Sequence, residues 1–442
     1  MNIQLSDHFT YRKLFRFTLP SVVMMIFTSI YGVFDGFFVS NFVGKTTFAA
    51  VNFIWPFLML LGAVGFMFGA GGSALVAKTL GEGDRERANR IFSLIVYVSI
   101  GCGIVITVLG LIFIRPIAQL LGAEGQMLED CVLYGRVILM TLTPYMLQME
   151  FQSFFITAEK PNLGLVVTVA SGVTNMVLDA LLVAVFPLGL LGAALATALS
   201  QAVGGILSLI YFSCPQKSLL RLTKTSFYGK ELLKTCTNGS SELLSNISMS
   251  LVSMLYNYQL MKYVGEDGVA AYGVLMYVCM IFISLFIGYS IGTAPLIGYN
   301  YGSGNHGELK NLLKKSCIIL GISSLLMLAL SLVLSAPLSM LFVGYDQALF
   351  EMTRRAFYIF SFSFLFSGLA IFGSSFFTAL NNGLISAVMS FMRTLVFQVA
   401  AVIILPLIFG TDGIWYSIVV AELMAFCVTI AFMIGQRKRY HY

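Results

Sequence analysis

Residues 91–114 read IFSLIVYVSIGCGIVITVLGLIFI, an apolar run that contains no charged side chain. A helix that crosses a membrane needs about 20 consecutive and mostly apolar residues, so this run predicts a transmembrane helix. Eleven similar runs occur elsewhere in the chain. Together the twelve predicted spans are residues 17–40, 50–77, 91–114, 132–158, 162–186, 190–212, 238–261, 269–300, 316–335, 356–380, 384–408 and 413–435.

The composition of the whole chain supports a membrane protein. Of its 442 residues, 58% are hydrophobic and 10% are charged, whereas about 25% are charged in an ordinary soluble domain. A soluble fold of this size cannot hide so much apolar surface from water. The composition therefore excludes a soluble enzyme, a disordered chain and a nucleic-acid-binding module. The seven cysteines form no C-x-x-C pair, so we interpret them as small packing residues and expect no metal centre or other cofactor.

The lysines and arginines predict the orientation of the spans. With the N-terminus placed inside, the inner segments hold 19 of the 26 basic residues and the outer segments hold 5. Basic residues concentrate in the loops on the cytoplasmic side of a membrane. Both termini are therefore predicted to be cytoplasmic.

When the second half of the sequence is aligned with the first without a gap, matching residues of the two halves are separated by one constant difference in residue number. The matching pairs include Gly71 and Gly292, Gly81 and Gly302, Gly83 and Gly304, Pro116 and Pro337, Ala158 and Ala379, and Gly192 and Gly413. Each repeat holds six spans, so both repeats enter the membrane in the same orientation. We predict an all-α membrane protein with an N-terminal lobe (1–212), a cytoplasmic linker loop (213–236) and a C-terminal lobe (237–442). Two such lobes with a cleft between them suit alternating access.

The repeat breaks where the first half carries acidic residues. Asp35 in span 1 corresponds to Tyr256, and Asp179 in span 5 corresponds to Ala400. A charged acid inside a bilayer costs at least about 2.5 kcal/mol, so it usually faces the bundle interior and serves a function. The acidic chemistry is therefore expected in the N-terminal lobe.

Four polar residues of that lobe are predicted to lie at similar depth. Counted from the outer ends of their spans at about 1.5 Å per residue, Asp35, Asp179 and Thr197 are all roughly 8–11 Å below the surface. Asn175 lies four residues before Asp179 and shares its helix face. Asp35, Asn175, Asp179 and Thr197 therefore form a candidate oxygen cage for a proton or a sodium ion. All three histidines lie outside the spans, so a proton carrier inside the membrane would be a carboxyl group.

Other polar residues in or near the spans are secondary candidates: Glu150, Arg136, Tyr31, Gln201, Tyr256, Arg393 and Glu422. Glu150 lies near the inner end of span 4, where an acid can extend towards the membrane surface. Arg136 is nearly as deep as the acid cluster and could pair with it. Arg393 and Glu422 reach similar depths, and we interpret them as a structural ion pair of the second lobe.

Several motifs together resemble the multidrug and toxic compound extrusion (MATE) family. They are YGVFDG at 31–36, Val43-Gly44, LGEGDR at 80–85, NMVLD at 175–179 and GAALAT at 192–197. The resemblance covers the whole chain. It implies twelve spans in two lobes, a bacterial plasma membrane location, and export of cationic or amphipathic drugs in exchange for protons or sodium ions.

The resemblance is closest to the prokaryotic branch with its cation site in the N-terminal lobe. Asp35, Asn175, Asp179 and Thr197 occupy the positions that bind the coupling cation in that branch. A second branch carries its coupling acids on spans 7 and 10, a pattern that this sequence does not match. Protons are the preferred coupling ion because nothing distinctive of sodium is visible, and the duplication suggests a monomer.

Other classes of membrane protein fit less well. A major facilitator transporter also has twelve spans in parallel halves, but 175–179 is not part of its pattern. A lipid-linked oligosaccharide flippase would line its cleft with several basic residues to hold phosphates, and only Arg136 and Arg393 lie within spans. A channel would need a filter-like loop. An enzyme is not expected, because the nucleophile-elbow pattern at 288–292 lies inside a span and no span contains a histidine.

Overall fold

The computed structural model describes residues 3–215 and 217–442, and no β-strand occurs among them. The α-helices of this part are α1 (Tyr11–Phe38), α2 (Lys45–Gly81), α3 (Arg85–Leu120), α4 (Gly125–Met140), α5 (Leu142–Thr157), α6 (Pro161–Asp179), α7 (Gly189–Ser213), α8 (Gly229–Tyr263), α9 (Glu266–Gly302), α10 (His306–Val343), α11 (Gln347–Ser361), α12 (Phe364–Ala379), α13 (Gly383–Phe391), α14 (Phe397–Phe409) and α15 (Thr411–Tyr440). Three π-helical segments continue α1, α6 and α13, at Val39–Val43, Ala180–Val185 and Met392–Val396.

All twelve predicted spans lie on helices. In the described part of the chain, nine helical stretches are long and apolar enough to cross a membrane, and α11 with α12 forms a tenth that is bent by 50°. The other two spans lie on α4 with α5 and on α8. Some helices, such as α3 (Arg85–Leu120) and α10 (His306–Val343), begin before their predicted spans because polar turns precede the apolar run.

The helix boundaries repeat at the offset found in the sequence. When the difference in residue number that relates the two halves is added to the first and last residues of α2 (Lys45–Gly81), the result is the first and last residues of α9 (Glu266–Gly302). Span 4 breaks at Thr141, between α4 and α5, and the equivalent Phe362 lies at the break between α11 and α12. The parallel repeat predicted from the sequence is therefore present in the fold.

The two lobes pack closely through glycines related by the same repeat. A Cβ atom added at Gly81 would overlap the carbonyl of Tyr299, and one added at Gly302 would overlap the carbonyl of Lys78. The repeat relates Gly81 to Gly302 and Lys78 to Tyr299, so the two contacts are equivalent. Both contacts lie at the ends of α2 and α9 nearest the chain termini, so the lobes are sealed on that side.

The N-terminal segment bridges the two lobes on the same side. The backbone N–H of Leu5 donates to Oε1 of Glu159 at 2.7 Å, and the N–H of Phe9 donates to Oε1 of Glu308 at 2.9 Å. The side chains of Leu5 and Phe9 are fully buried. Because Glu159 follows α5 and Glu308 begins α10, this segment ties one lobe to the other.

The connection between the lobes is partly helical. Helix α8 begins at Gly229, inside the predicted linker loop, and its first turns are polar. The preceding segment runs along α3, where Asn89 Oδ1 accepts from the N–H of Arg221 at 2.7 Å and Ser93 Oγ accepts from the N–H of Thr223 at 2.8 Å. The connection is therefore anchored to the N-terminal lobe.

Candidate functional site

Three helices of the N-terminal lobe bring the predicted polar cluster together. Asp35 lies near the end of α1, Asn175 and Asp179 lie on the last turns of α6, and Thr197 lies on α7. The Thr197 hydroxyl donates to Oδ1 of Asp35 at 3.3 Å. The Asp35 carboxyl group also faces the side chains of Asn175 and Asp179. The cluster lies in the half of the lobe away from the sealed side.

The inner part of the cluster is buried without hydrogen-bond partners. Asp179 is 0% exposed and Asn175 is 2% exposed. Neither carboxyl oxygen of Asp179, nor the side-chain oxygen of Asn175, has a partner among the described residues. Asp35 is only half-buried. Two neighbouring carboxyl groups in a dry site are stable only when a proton or a cation reduces their charge.

The donor set of the cluster suits a light cation better than a transition metal. It provides two carboxyl groups, an amide oxygen and a hydroxyl, which are hard oxygen ligands. No group of three or more His, Cys, Asp or Glu side chains that could hold a metal ion occurs within residues 3–215 and 217–442. The geometry is compatible with a proton shared by the two acids or with a sodium ion between them.

Both acids precede a widened stretch of helix. The π-helical segment Val39–Val43 begins four residues after Asp35, and Ala180–Val185 begins directly after Asp179. Such π-helical turns are frequent at functional sites because they interrupt the regular backbone hydrogen bonding of the helix. The helix ends that carry the acids therefore have a local element that can change register.

Tyrosine and amide side chains surround the acid cluster. Tyr31 lies one turn before Asp35 and packs against Phe27, with ring centroids 5.8 Å apart. Gln201, one turn after Thr197, accepts from the hydroxyl of Thr141 at the break in span 4, at 3.2 Å.

Tyr134 on α4 is a neighbour that the sequence analysis missed. It is 1% exposed and lies beside Thr197 and the two acids. Only its depth in span 4, close to that of the cluster, could have indicated this position.

Two secondary candidates lie away from the cluster. Arg136 is exposed on α4 and its charge acts on the exposed Glu129, so the structure does not bring it to the acids. The predicted depth of Arg136 gave the height of its side chain along α4 but not the direction in which the side chain points. Arg136 follows Tyr134 by two residues, so the two side chains point about 200° apart around the helix. Glu150 does not extend to the membrane surface, because it is 0% exposed between helices.

Comparison with known sequences places this chain in a family. The sequence pattern of the MatE family matches residues 20–181 and again residues 243–404. The chain belongs to the MatE family. The two matches fall in the two repeats, and they confirm the resemblance to multidrug and toxic compound extrusion transporters. This MatE chain is therefore a multi-pass bacterial plasma-membrane transporter of the multidrug efflux class, and not an enzyme.

The curated relatives are similar over nearly their whole length. Multidrug export protein MepA of Staphylococcus aureus (strain MRSA252) is 25% identical over 425 residues, which is 96% of this chain and 93% of that protein. Multidrug export protein MepA of Staphylococcus haemolyticus (strain JCSC1435) is 25% identical over 431 residues, covering 97% of this chain and 94% of that protein.

Solved structures share the fold. An outward-facing conformation of a multidrug resistance MATE family transporter superposes with a TM-score of 0.93 at 24% identity, covering 100% of this chain and 98% of that one. A MATE crystal structure in complex with MaL6 gives a TM-score of 0.93 at 23% identity, with 98% of each chain covered. These neighbours support the twelve-span, two-lobe architecture.

The equivalent region of the second lobe of this MatE transporter contains no acid cage among the residues described. Tyr256, the counterpart of Asp35, donates its hydroxyl to Gln398 at 2.8 Å and stacks on Tyr272 with ring centroids 5.3 Å apart. Arg393 and Glu422 form a two-bond ion pair, with Nε–Oε2 at 3.1 Å and Nη2–Oε1 at 3.0 Å. The side chains of this pair are 19% and 7% exposed.

Replacing Glu422 by glutamine is expected to destabilise the second lobe. It would leave the guanidinium of Arg393 poorly exposed and without its carboxylate, and breaking a buried pair in this way costs about 3–5 kcal/mol. Thermal unfolding of the purified protein in detergent should show a clearly lower midpoint for Glu422→Gln. The double variant Arg393→Met with Glu422→Leu should recover part of the loss, because both charges of the pair are removed, although Glu242 then loses the nearby charge of Arg393. An unchanged midpoint in Glu422→Gln would show that the pair contributes nothing to stability.

Proposed function

We propose that this chain exports small cationic or amphipathic drugs from the cytoplasm, as a monomer, in exchange for protons that enter through Asp35, Asn175, Asp179 and Thr197. The observation that carries the proposal is the buried Asp179, which has no hydrogen-bond partner among the described residues and lies beside Asp35. A second carboxyl group without a counter-charge requires a bound proton or cation. Sodium is the alternative coupling ion for the same four side chains.

The exchange would use the difference in exposure between the two acids. Asp35 is half-buried and faces Thr197, whereas Asp179 lies fully buried behind it. An ion from the outer cleft would meet Asp35 first and then be held between both carboxyl groups. Its binding removes one negative charge from the pair, and the π-helical segments beside the two acids allow α1 and α6 to rearrange. This rearrangement would release the drug.

The drug would bind in the cleft between the lobes. The chain contains 38 phenylalanines, 22 methionines and 20 tyrosines. Flexible methionines adapt to ligands of different shape, and each aromatic face can attract an organic cation by about 0.5–2 kcal/mol. The two lobes, 1–212 and 237–442, would move about the linker 213–236.

The flippase alternative would need several basic groups in the spans, and the described chain offers two. Arg136 is exposed on α4, and Arg393 is engaged with Glu422. A lipid diphosphate would need several unpaired arginines or lysines inside the cleft. Drug export therefore fits the geometry better than transport of a lipid-linked sugar.

Efflux from proteoliposomes tests the proposal. Liposomes loaded with ethidium are diluted into acidic buffer without sodium, and in a parallel experiment into sodium buffer without a pH difference. We expect saturable ethidium efflux with the pH gradient alone and none with the sodium gradient alone. Protein-free liposomes and collapse of the pH gradient with nigericin are the controls.

Other results of the efflux experiment would contradict the coupling ion or the proposed function. Efflux driven only by sodium would contradict proton coupling while keeping the exchange mechanism. Efflux that is independent of both gradients, or no efflux at all, would contradict the proposed function.

A further inference from the structure

Glu242 is an acid of the second lobe that the proposed exchange does not use. It lies on α8 (Gly229–Tyr263), inside the predicted span 238–261, and is half-buried. The amide of Asn246 donates to its backbone carbonyl at 2.8 Å, but its carboxyl group has no hydrogen-bond or ion-pair partner among the described residues. An acid inside a membrane span is costly and usually serves a function.

Arg393 does not neutralise this acid. Its charge acts on Glu242, but its guanidinium already makes two bonds to Glu422, at 3.1 Å and 3.0 Å. With all three side chains ionised, one negative charge is left over. The repeat equivalents of these three residues are the uncharged Ser21, Gly172 and Gln201. The second lobe therefore carries an uncompensated carboxylate that the first lobe lacks at the same place.

Glu242 lies on the side of α8 that faces the other lobe. It follows Thr235 by seven residues and Gly239 by three, so it shares a helix face with both. A Cβ added at Gly71 of α2 would overlap the carbonyl of Thr235, and one added at Gly239 would overlap the carbonyl of Met67. This side of α8 therefore packs against α2, and Glu242 lies one turn beyond the packed contact, further from the sealed side.

The repeat explains why α2 and α8 do not close completely around Glu242. In the equivalent contact of α1 with α9, a Cβ added at Gly288 would be 2.6 Å from the Cα of Val22 and 2.8 Å from the carbonyl oxygen of Ser21. Ser21 is 1% exposed there. The repeat relates Ser21 to Glu242 and Gly288 to Met67, so each position holds a larger side chain in the contact of α2 with α8. This difference leaves Glu242 only half-buried.

Beyond Glu242, the same side of α8 borders an open space between the lobes. Met249 follows Glu242 by seven residues, shares its helix face and is 47% exposed. The exposed side chains of Leu251, Met254 and Tyr258 form a different side of α8, which faces the lipid. Met249 precedes Leu251 by two residues, so the two point about 200° apart. Met249 is therefore exposed to the cleft, and Glu242 lies at the floor of that cleft.

We propose that Glu242 binds the positive charge of the drug at the floor of the cleft between the lobes. The ligand class is an organic cation with an apolar body, because the site offers one carboxylate beside the flexible side chains of Met67 and Met249. A bound cation supplies the counter-charge that Arg393 does not. This inference rests on the proposed drug export, for which it names the group that selects cations.

The position of Glu242 suits a site that is reached from each side of the membrane in turn. The contact of Gly71 with Gly239 closes the path to the sealed side within one turn of Glu242, and the cleft is open on its other side. When that contact opens, the same carboxylate becomes accessible from the cytoplasm. Asp35 and Asp179 belong to the other lobe, so the drug and the coupling ion bind to separate acids.

Ethidium binding to the purified protein in detergent, measured by fluorescence anisotropy, tests this role. We expect Glu242→Gln to weaken binding at least about tenfold, because the variant loses an ion pair in a poorly hydrated site. Glu242→Asp keeps the charge and should bind ethidium more tightly than Glu242→Gln. Glu266→Gln is the matched control, because Glu266 is exposed in the first turn of α9. It should bind ethidium as the wild type does.

Labelling at position 249 gives a second measurement that leaves Glu242 unchanged. In the Met249→Cys variant, ethidium should slow the reaction of a maleimide at position 249, as read by mass spectrometry of its peptide. The drug bound at Glu242 would cover this position, which lies two turns further along the same side of α8. This measurement decides if Glu242→Gln fails to fold, and labelling that ethidium does not slow would overturn the inference.

The outcomes separate this inference from the proposed function. Ethidium binding by Glu242→Gln that is as tight as that of the wild type would overturn the role of Glu242 alone. The same holds if that variant binds ethidium normally but has lost proton coupling, because the acid would then serve the proton. A wild type that neither binds ethidium nor shows gradient-driven efflux would overturn the proposed function and this inference with it.

Discussion

Replacing Asp35 by asparagine is expected to abolish drug export without reducing the amount of folded protein. The amide keeps the size of the side chain and can still accept the hydrogen bond from Thr197, which spans 3.3 Å. It cannot bind and release a proton, so position 35, the part of the site that an ion from the outer cleft would meet first, would stay permanently neutral. Cells that express Asp35→Asn should be as sensitive to ethidium as cells with an empty vector, and Western blots should show normal expression.

Two further variants make this experiment specific. Asp179→Asn should have the same effect, because Asp179 is 0% exposed beside Asp35 and is the second carboxyl group of the proposed coupling site. Asp130→Asn, at the outer end of the same lobe, changes an acid that only accepts from Gln126 at 2.9 Å, and it should leave resistance unchanged. Full resistance in the Asp35→Asn cells would contradict the proposed coupling site.

Much of the fold follows from one-dimensional patterns in the sequence. Apolar runs longer than a bilayer is thick predict the spans, and the constant offset between the halves predicts the repeat, down to the matched ends of α2 (Lys45–Gly81) and α9 (Glu266–Gly302). Motif matching also selects Asp35 and Asp179, which the structure brings together. These features depend on composition and spacing, which tertiary contacts do not alter.

Other features depend on which way a side chain points, and depth in the membrane does not reveal that. Arg136 and Tyr134 have nearly the same depth, yet Arg136 is exposed and Tyr134 lies at the acid cluster. Glu150 is enclosed because Gly69 allows α2 to approach α5. The break at Thr141 is marked by Pro144, which has no N–H to donate to the carbonyl four residues earlier, but the bond from Thr141 to Gln201 of another helix could not be read from the sequence.

Replacing Gly239 by valine is expected to stop transport by keeping the seal between the lobes open. A Cβ added at Gly239 of α8 would overlap the backbone carbonyl of Met67 on α2, and a backbone atom cannot move aside as a flexible side chain can. Overpacking of this kind costs about 1–3 kcal/mol, which shifts a two-state equilibrium by about 5–150-fold. Ethidium efflux should fall by a similar factor, while the drug still binds to the purified protein.

The accessibility of the seal distinguishes this explanation from simple misfolding. Ala74 is 1% exposed, and its carbonyl accepts from the Asn381 amide at 3.1 Å across the seal. In the Ala74→Cys background, a maleimide added to the purified protein should label residue 74 faster when Gly239→Val is present, as read by mass spectrometry of its peptide. Gly101→Val is the control, since a Cβ at Gly101 meets nothing within 4 Å, and it should change neither labelling nor efflux. Efflux from Gly239→Val at the rate of the wild type would contradict the view that transport requires this contact to close. A lobe interface that tolerates valine at that position cannot be the seal that alternating access needs.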